Sequence, residues 1–75
     1  MANNITAERG RIGITQQDLA DELGVSMKTI RVWETNIGVC KASYILAICR
    51  YFGVSADYLL GLSEERGVRD AIRNI

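Results

Sequence analysis

The chain has 75 residues, 48% of them apolar and 24% charged, and no proline, which is enough for one small domain burying roughly 60% of the surface its unfolded form exposes. Nine basic residues balance nine acidic ones, which weighs mildly against a nucleic-acid partner because binders usually carry a basic surplus; there is no histidine, so the commonest general base and transition-metal ligand is missing. The longest apolar run, Tyr44 to Cys49, is six residues, far short of the roughly 20 that cross a bilayer.

A first helix is expected from about Asn4 to Ile12, capped by Asn3 or Asn4 and ended by Gly13; Gly10 inside it costs about 1 kcal/mol relative to alanine. Thr15 caps a second helix, with Asp18 at the capping-box position. Leu19, Ala20 and Leu23 form its apolar stripe, and Gly24 ends it. Ser26 caps a third helix running to about Thr35. Only Val25 separates Gly24 from that cap, so the two helices must cross steeply, and the small Ala20 lets their axes approach.

Residues 36–41 are expected to be a loop with Ile37 and Val39 exposed and Cys40 incidental. A fourth helix follows over Ala42 to Phe52, with Ile45, Ile48, Cys49 and Phe52 at i, i+3, i+4, i+7. Gly53 ends it. Ser55 caps a short fifth helix through Leu60, with Leu59 and Leu60 facing inward. Ser63 is expected to cap a last helix whose apolar face is Val68, Ala71, Ile72 and Ile75. Nothing alternates as a strand would, so the expected fold class is all-α.

On a wheel of about 100° per residue, Ile30 and Trp33 of the third helix point inward. Lys28, Arg31, Val32 and Thr35 point outward, with Met27 and Thr29 beside them. This face can be an ordinary solvated surface. It also suits a DNA major groove, where cations meet guanine edges or phosphates and apolar groups meet thymine methyls. The charge distribution softens the objection of the neutral total: residues 1–24, 25–50 and 51–75 carry net charges of −2, +3 and −1, so the positive charge sits in the middle third. Glu34, about 40° from Ile30 on the wheel, needs a partner, best a bidentate arginine.

Residues 14–34, I-T-Q-Q-D-L-A-D-E-L-G-V-S-M-K-T-I-R-V-W-E, resemble the helix-turn-helix of the lambda-repressor-like (Cro and xenobiotic-response-element) family. The resemblance continues into A-E-R at 7–9 and G-V-S-A-D-Y-L-L-G at 53–61, covering about residues 4 to 62. It implies a compact five-helix DNA-binding domain over 1–62, with 63–75 as an additional helical tail. Gln16, with Gln17 beside it, matches phosphate-contacting positions at the start of the second helix. Ser26, Met27, Lys28 and Thr29 match the start of the recognition helix, and Arg31 and Val32 its next turn. Asn36 matches a phosphate-contacting loop position, with Lys41 the one cation after it. Arg9 and Glu34 match a structural ion pair. The loop departs from the family pattern, which often carries lysine, arginine and proline there.

The resemblance implies a double-stranded DNA partner and a transcriptional regulator of repressor type; a small module with few phosphate contacts gains most by pairing, so a two-fold dimer is expected. The tail (Leu62, Val68, Ala71, Ile72, Ile75) can dock on its own chain, pair with a symmetry mate, or fray. The alternative is an antitoxin or other protein-interaction module, motivated by neutral charge and the apolar 37–40 loop. No catalytic constellation, metal cluster or cofactor loop is present in the sequence, so no enzyme, cofactor or metal is expected. The cysteines, Cys40 and Cys49, match no metal spacing. No signal-peptide pattern or membrane segment is seen, so a cytoplasmic location with free thiols is expected.

Overall fold

The structure, a computed structural model, describes residues 3–66. Five helices, α1 (Ile5–Ile12), α2 (Gln16–Leu23), α3 (Met27–Thr35), α4 (Ala42–Phe52) and α5 (Ala56–Leu59), are joined by short connections, one of them a single 3-10 turn over Ile37–Val39. Among the described residues there is no strand, and no helix is long and apolar enough to cross a membrane.

The helix boundaries follow from local backbone chemistry. Thr15 Oγ1 accepts from the Asp18 N–H, and Asp18 Oδ2 accepts from the Thr15 N–H, closing a reciprocal capping box. These bonds, the one from the Thr15 backbone foremost, hold the Asp18 carboxyl below its usual range. Ser26 and Ser55 cap α3 and α5 by accepting from the N–H groups of Thr29 and Tyr58. α2 stops because Gly24 takes the left-handed conformation (φ 70°), which lets the Val25 N–H reach back to the Ala20 carbonyl at 3.0 Å. Ser26 then starts α3 at once, and fully buried Ala20 leaves room for it.

One core serves all five helices. It gathers Ile5, Leu19, Ala20, Ile30, Trp33, Ile48, Cys49, Phe52 and Leu59, with Val54 from the α4–α5 turn. Trp33 lies tilted against Tyr44 with centroids 5.1 Å apart, a favourable aromatic geometry. Leu60 is only partly buried, whereas Tyr58, not expected inside, is buried.

The 36–41 stretch differs from expectation. Ile37 is fully buried rather than exposed, and Cys40 is a core residue. Asn36 Oδ1 accepts from the Gly38 N–H at 3.1 Å, and the Cys40 N–H donates to the Ile37 carbonyl at 3.0 Å. This winding turns Ile37 inward and leaves Val39 outside, 58% exposed. Burial pushes the Cys40 thiol up to about 11 and raises that of Cys49, so both stay protonated and weakly nucleophilic near neutral pH.

Polar contacts anchor α1, which buries only Ile5 and Glu8. Asn4 occupies the cap position but forms no side-chain cap; instead Asn3 Oδ1 accepts from the Ile5 N–H at 3.1 Å. Asn4 Nδ2 donates to the Tyr58 carbonyl of α5 at 2.6 Å. Glu8, 2% exposed, accepts from Tyr58 Oη at 3.0 Å, from Arg11 Nε at 2.8 Å, and from Arg66 Nε and Nη2 at 2.9 and 2.8 Å. The Arg66 hydrogen bonds outweigh the cost of desolvation and, with Arg11 and Tyr58, lower the Glu8 carboxyl to about 2.

Residues 63–66 are not helical, contrary to the expected cap at Ser63. The Ser55 N–H donates to the Arg66 carbonyl at 3.3 Å while the Arg66 side chain reaches Glu8, which draws this segment back over the start of α5. Leu62 is 68% exposed and does not dock on its own domain. Val68, Ala71, Ile72 and Ile75 lie outside the described residues.

Glu8 has a folded value of about 2 against an ordinary 4.5. Its stabilising contribution is therefore complete above pH 4.5 and is lost as pH falls through about 2. Glu8→Gln is expected to cost on the order of 2–3 kcal/mol at neutral pH and to flatten the pH dependence of stability across that acid window. Denaturant melts followed by circular dichroism at several pH values check this; a variant that tracks the wild type through the window would contradict it.

Candidate nucleic-acid interface

The inward anchoring of α3 determines what it offers to solvent. Ile30 is fully buried and Trp33 nearly so, while Lys28, Arg31, Val32 and Thr35 are exposed and Met27 and Thr29 partly so. The outer face therefore carries two long cations, a hydroxyl and two apolar groups, with Val32 43% exposed. Ser26 and Thr29 tie their hydroxyls together at 2.9 Å at the helix start, and Thr35 Oγ1 donates back to the Arg31 carbonyl at 3.0 Å.

Beneath this face lies an ionic anchor. Arg9 of α1 donates through Nε and Nη2 to both oxygens of Glu34 and through Nη1 to the Ile14 carbonyl. The side chains of Arg9 and Glu34 are 15% and 9% exposed. Burial pushes the Glu34 carboxyl up, but hydrogen bonds from Arg9 and Gln16 and the Arg9 charge bring it below the usual range. Glu34 is thus an ionised acceptor. Asn3 supports the same end of α3, donating to the carbonyls of Trp33 and Glu34 at 3.0 and 3.1 Å.

The remaining candidates flank α3. Gln16 is half-buried at the start of α2 and engaged within the protein: Nε2 donates to Glu34 Oε1 at 2.9 Å, and Oε1 accepts from Arg31 Nε at 3.4 Å. Gln17 is exposed and donates to Asp21 at 2.7 Å. Asn36 uses its Oδ1 to cap the 3-10 turn. Lys41 is exposed at the start of α4 and makes no side-chain cap. Position and pattern signalled these residues, but neither signalled the Gln16 bridge nor the double role of Asn3, because both join partners distant in sequence. Among the described residues no group of acidic or cysteine side chains could hold a metal ion.

A family model described as helix-turn-helix matches residues 5–59. Comparison with curated proteins and with solved structures returns no match.

Arg9→Ala leaves the Glu34 carboxylate, 9% exposed in the intact pair, short of its charge partner, so it is expected to destabilise the fold by about 3 kcal/mol. Urea melts of the variant measure this; a loss below about 1 kcal/mol, the scale of an exposed pair, would contradict the anchoring role.

Proposed function

Because the chain belongs to the lambda-repressor-like helix-turn-helix family of DNA-binding transcriptional regulators, we propose that it is a sequence-specific repressor whose α3 enters the major groove of double-stranded DNA, two copies binding about a two-fold axis. The observation that carries this reading is the division of α3. Ile30 and Trp33 are held in the core, while Lys28, Arg31 and Val32 project together into solvent. An exposed valine beside two cations suits a base edge, where a thymine methyl and a guanine acceptor pair offer matching contacts.

In this reading Lys28 and Arg31 contact guanine edges or phosphates, and Met27, Thr29 and Val32 meet thymine methyls. Gln16, Gln17 and the first backbone amides of α2 face a phosphate. Ser26, Asn36 and Lys41 flank the backbone. Repression needs no more than occupancy of the site. Lys41 is the one cation between residues 36 and 41, so phosphate contacts are few and affinity must come from pairing. A two-fold dimer spans half-sites roughly 34–36 Å apart, and exposed Leu62 with Val68, Ala71, Ile72 and Ile75 is the proposed means of association. Burial of Ile37 removes one of the two apolar residues that motivated a protein-interaction module, so the DNA reading is favoured.

Selection from a randomised duplex pool, followed by fluorescence anisotropy at several salt concentrations, tests the proposal. The selected sites are expected to be inverted repeats about one helical turn apart. A Lys28→Ala, Arg31→Ala double variant is expected to bind them at least tenfold more weakly, the scale of one lost base contact. Failure to enrich any sequence, or equal binding by the variant, would contradict it.

A further inference from the structure

Gln16 occupies a place in the fold that a phosphate donor alone does not require. Its amide lies between two groups of opposite demand. On one side is Glu34, ionised and able only to accept; on the other is Arg31, able only to donate. The amide therefore has one workable orientation, with Nε2 donating to Glu34 at 2.9 Å and Oε1 accepting from Arg31 Nε at 3.4 Å. Reversed, it would set oxygen against carboxylate and NH2 against guanidinium.

The second contact of Arg31 points the same way. Nη2 lies 3.9 Å from Met27 Sδ, one helical turn back. Nε is thus engaged and the guanidinium rests along α3, while among the described residues Nη1 has no hydrogen-bond partner. Arg31 is exposed, and exchange of the weak sulfur contact of Nη2 for a base would free the Nη1–Nη2 edge, the edge that pairs with guanine O6 and N7. The guanidinium is indirectly tied to α1, because Glu34 is itself held by Arg9.

We propose that Gln16 is a positioning residue for Arg31: it transmits the fixed location of the Arg9–Glu34 pair to the guanidinium and so sets which base Arg31 discriminates. This rests on the DNA reading above. Arg31 is the specificity-determining cation, and Lys28, a flexible point charge, contributes to affinity. Holding one nitrogen reduces the rotamer freedom that a long side chain must lose on binding. Lysine at position 31 could not present the same fork.

The test compares wild type, Gln16→Ala, Gln16→Met, Arg31→Ala, Arg31→Lys and the Gln16→Ala, Arg31→Lys double variant on a pool-selected duplex, on its single-base-pair substitutions and on an unrelated duplex, across a salt series. Gln16→Met keeps the side-chain bulk without the amide, and thermal melts set an assay temperature at which every variant is folded. Both Gln16 variants are expected to lower the ratio of specific to non-specific affinity about tenfold, within the range of one good base contact. The lost discrimination should fall at the base pair that Arg31→Ala also stops reading, with the salt slope unchanged. In the Arg31→Lys background, Gln16→Ala should have no further effect on that ratio.

Equal weakening on both duplexes, the signature of a lost sequence-independent phosphate hydrogen bond, would overturn the proposal. So would a loss at a different base pair, or full additivity with the Arg31 substitution. A wild type with no preference among duplexes would instead overturn the DNA reading, and with it this assignment.

Discussion

The carboxylate of Glu34 is the point on which the architecture turns. It closes the last turn of α3, and its charge is matched by Arg9 from α1 and an amide hydrogen from Gln16 of α2. Three helices are thereby brought into one register by a single ionised group. A half-buried carboxylate without such partners would cost several kcal/mol, so arrangements in which α1 or α2 shifts by a turn are penalised. Apolar burial of Ile30 and Trp33 sets which face of α3 turns inward, but hydrophobic contact is non-directional and leaves the position of α3 relative to α1 and α2 to the ionic contacts.

α1 shows how a helix with little apolar surface can organise a domain. Residues on it and just before it address different parts of the molecule. Asn3 and Arg9 reach the end of α3, while Asn4 and Glu8 reach α5 and the segment after it. The second set is as demanding as the first: Glu8 is nearly sealed from solvent, and every hydrogen bond it accepts is directional. Arg66 consequently belongs to the folded domain even though it lies past the last helix described.

Much of the architecture was legible because it is written in local chemistry. Thr15, Ser26 and Ser55 are small hydroxyl residues directly before apolar periodicity, and each caps the helix expected of it. Gly24 followed so closely by Ser26 leaves few ways to join α2 to α3. The outward face of α3 could likewise be read from spacing, because Ile30 and Trp33 settle its rotation. What was not legible depends on distant partners. Glu8 pairs with residues 50 and 58 positions away, and nothing in its own neighbourhood marks it as buried. Ile37 turns inward only because Asn36 winds a 3-10 turn. Ser63 has the sequence of a cap, but the pull of Arg66 toward Glu8 overrides that local preference. Gln16 could be placed at the start of α2 from pattern alone, whereas its two hydrogen bonds needed α2 and α3 packed together.

Backbone amide NMR on labelled protein, titrated with a pool-selected duplex, tests the central claim most directly. The account predicts that the largest shift changes fall at residues 16–17, 26–32 and 36–41, with α5 and the Glu8 cluster little affected. Changes concentrated on α4 and α5, with α3 unperturbed, would contradict it.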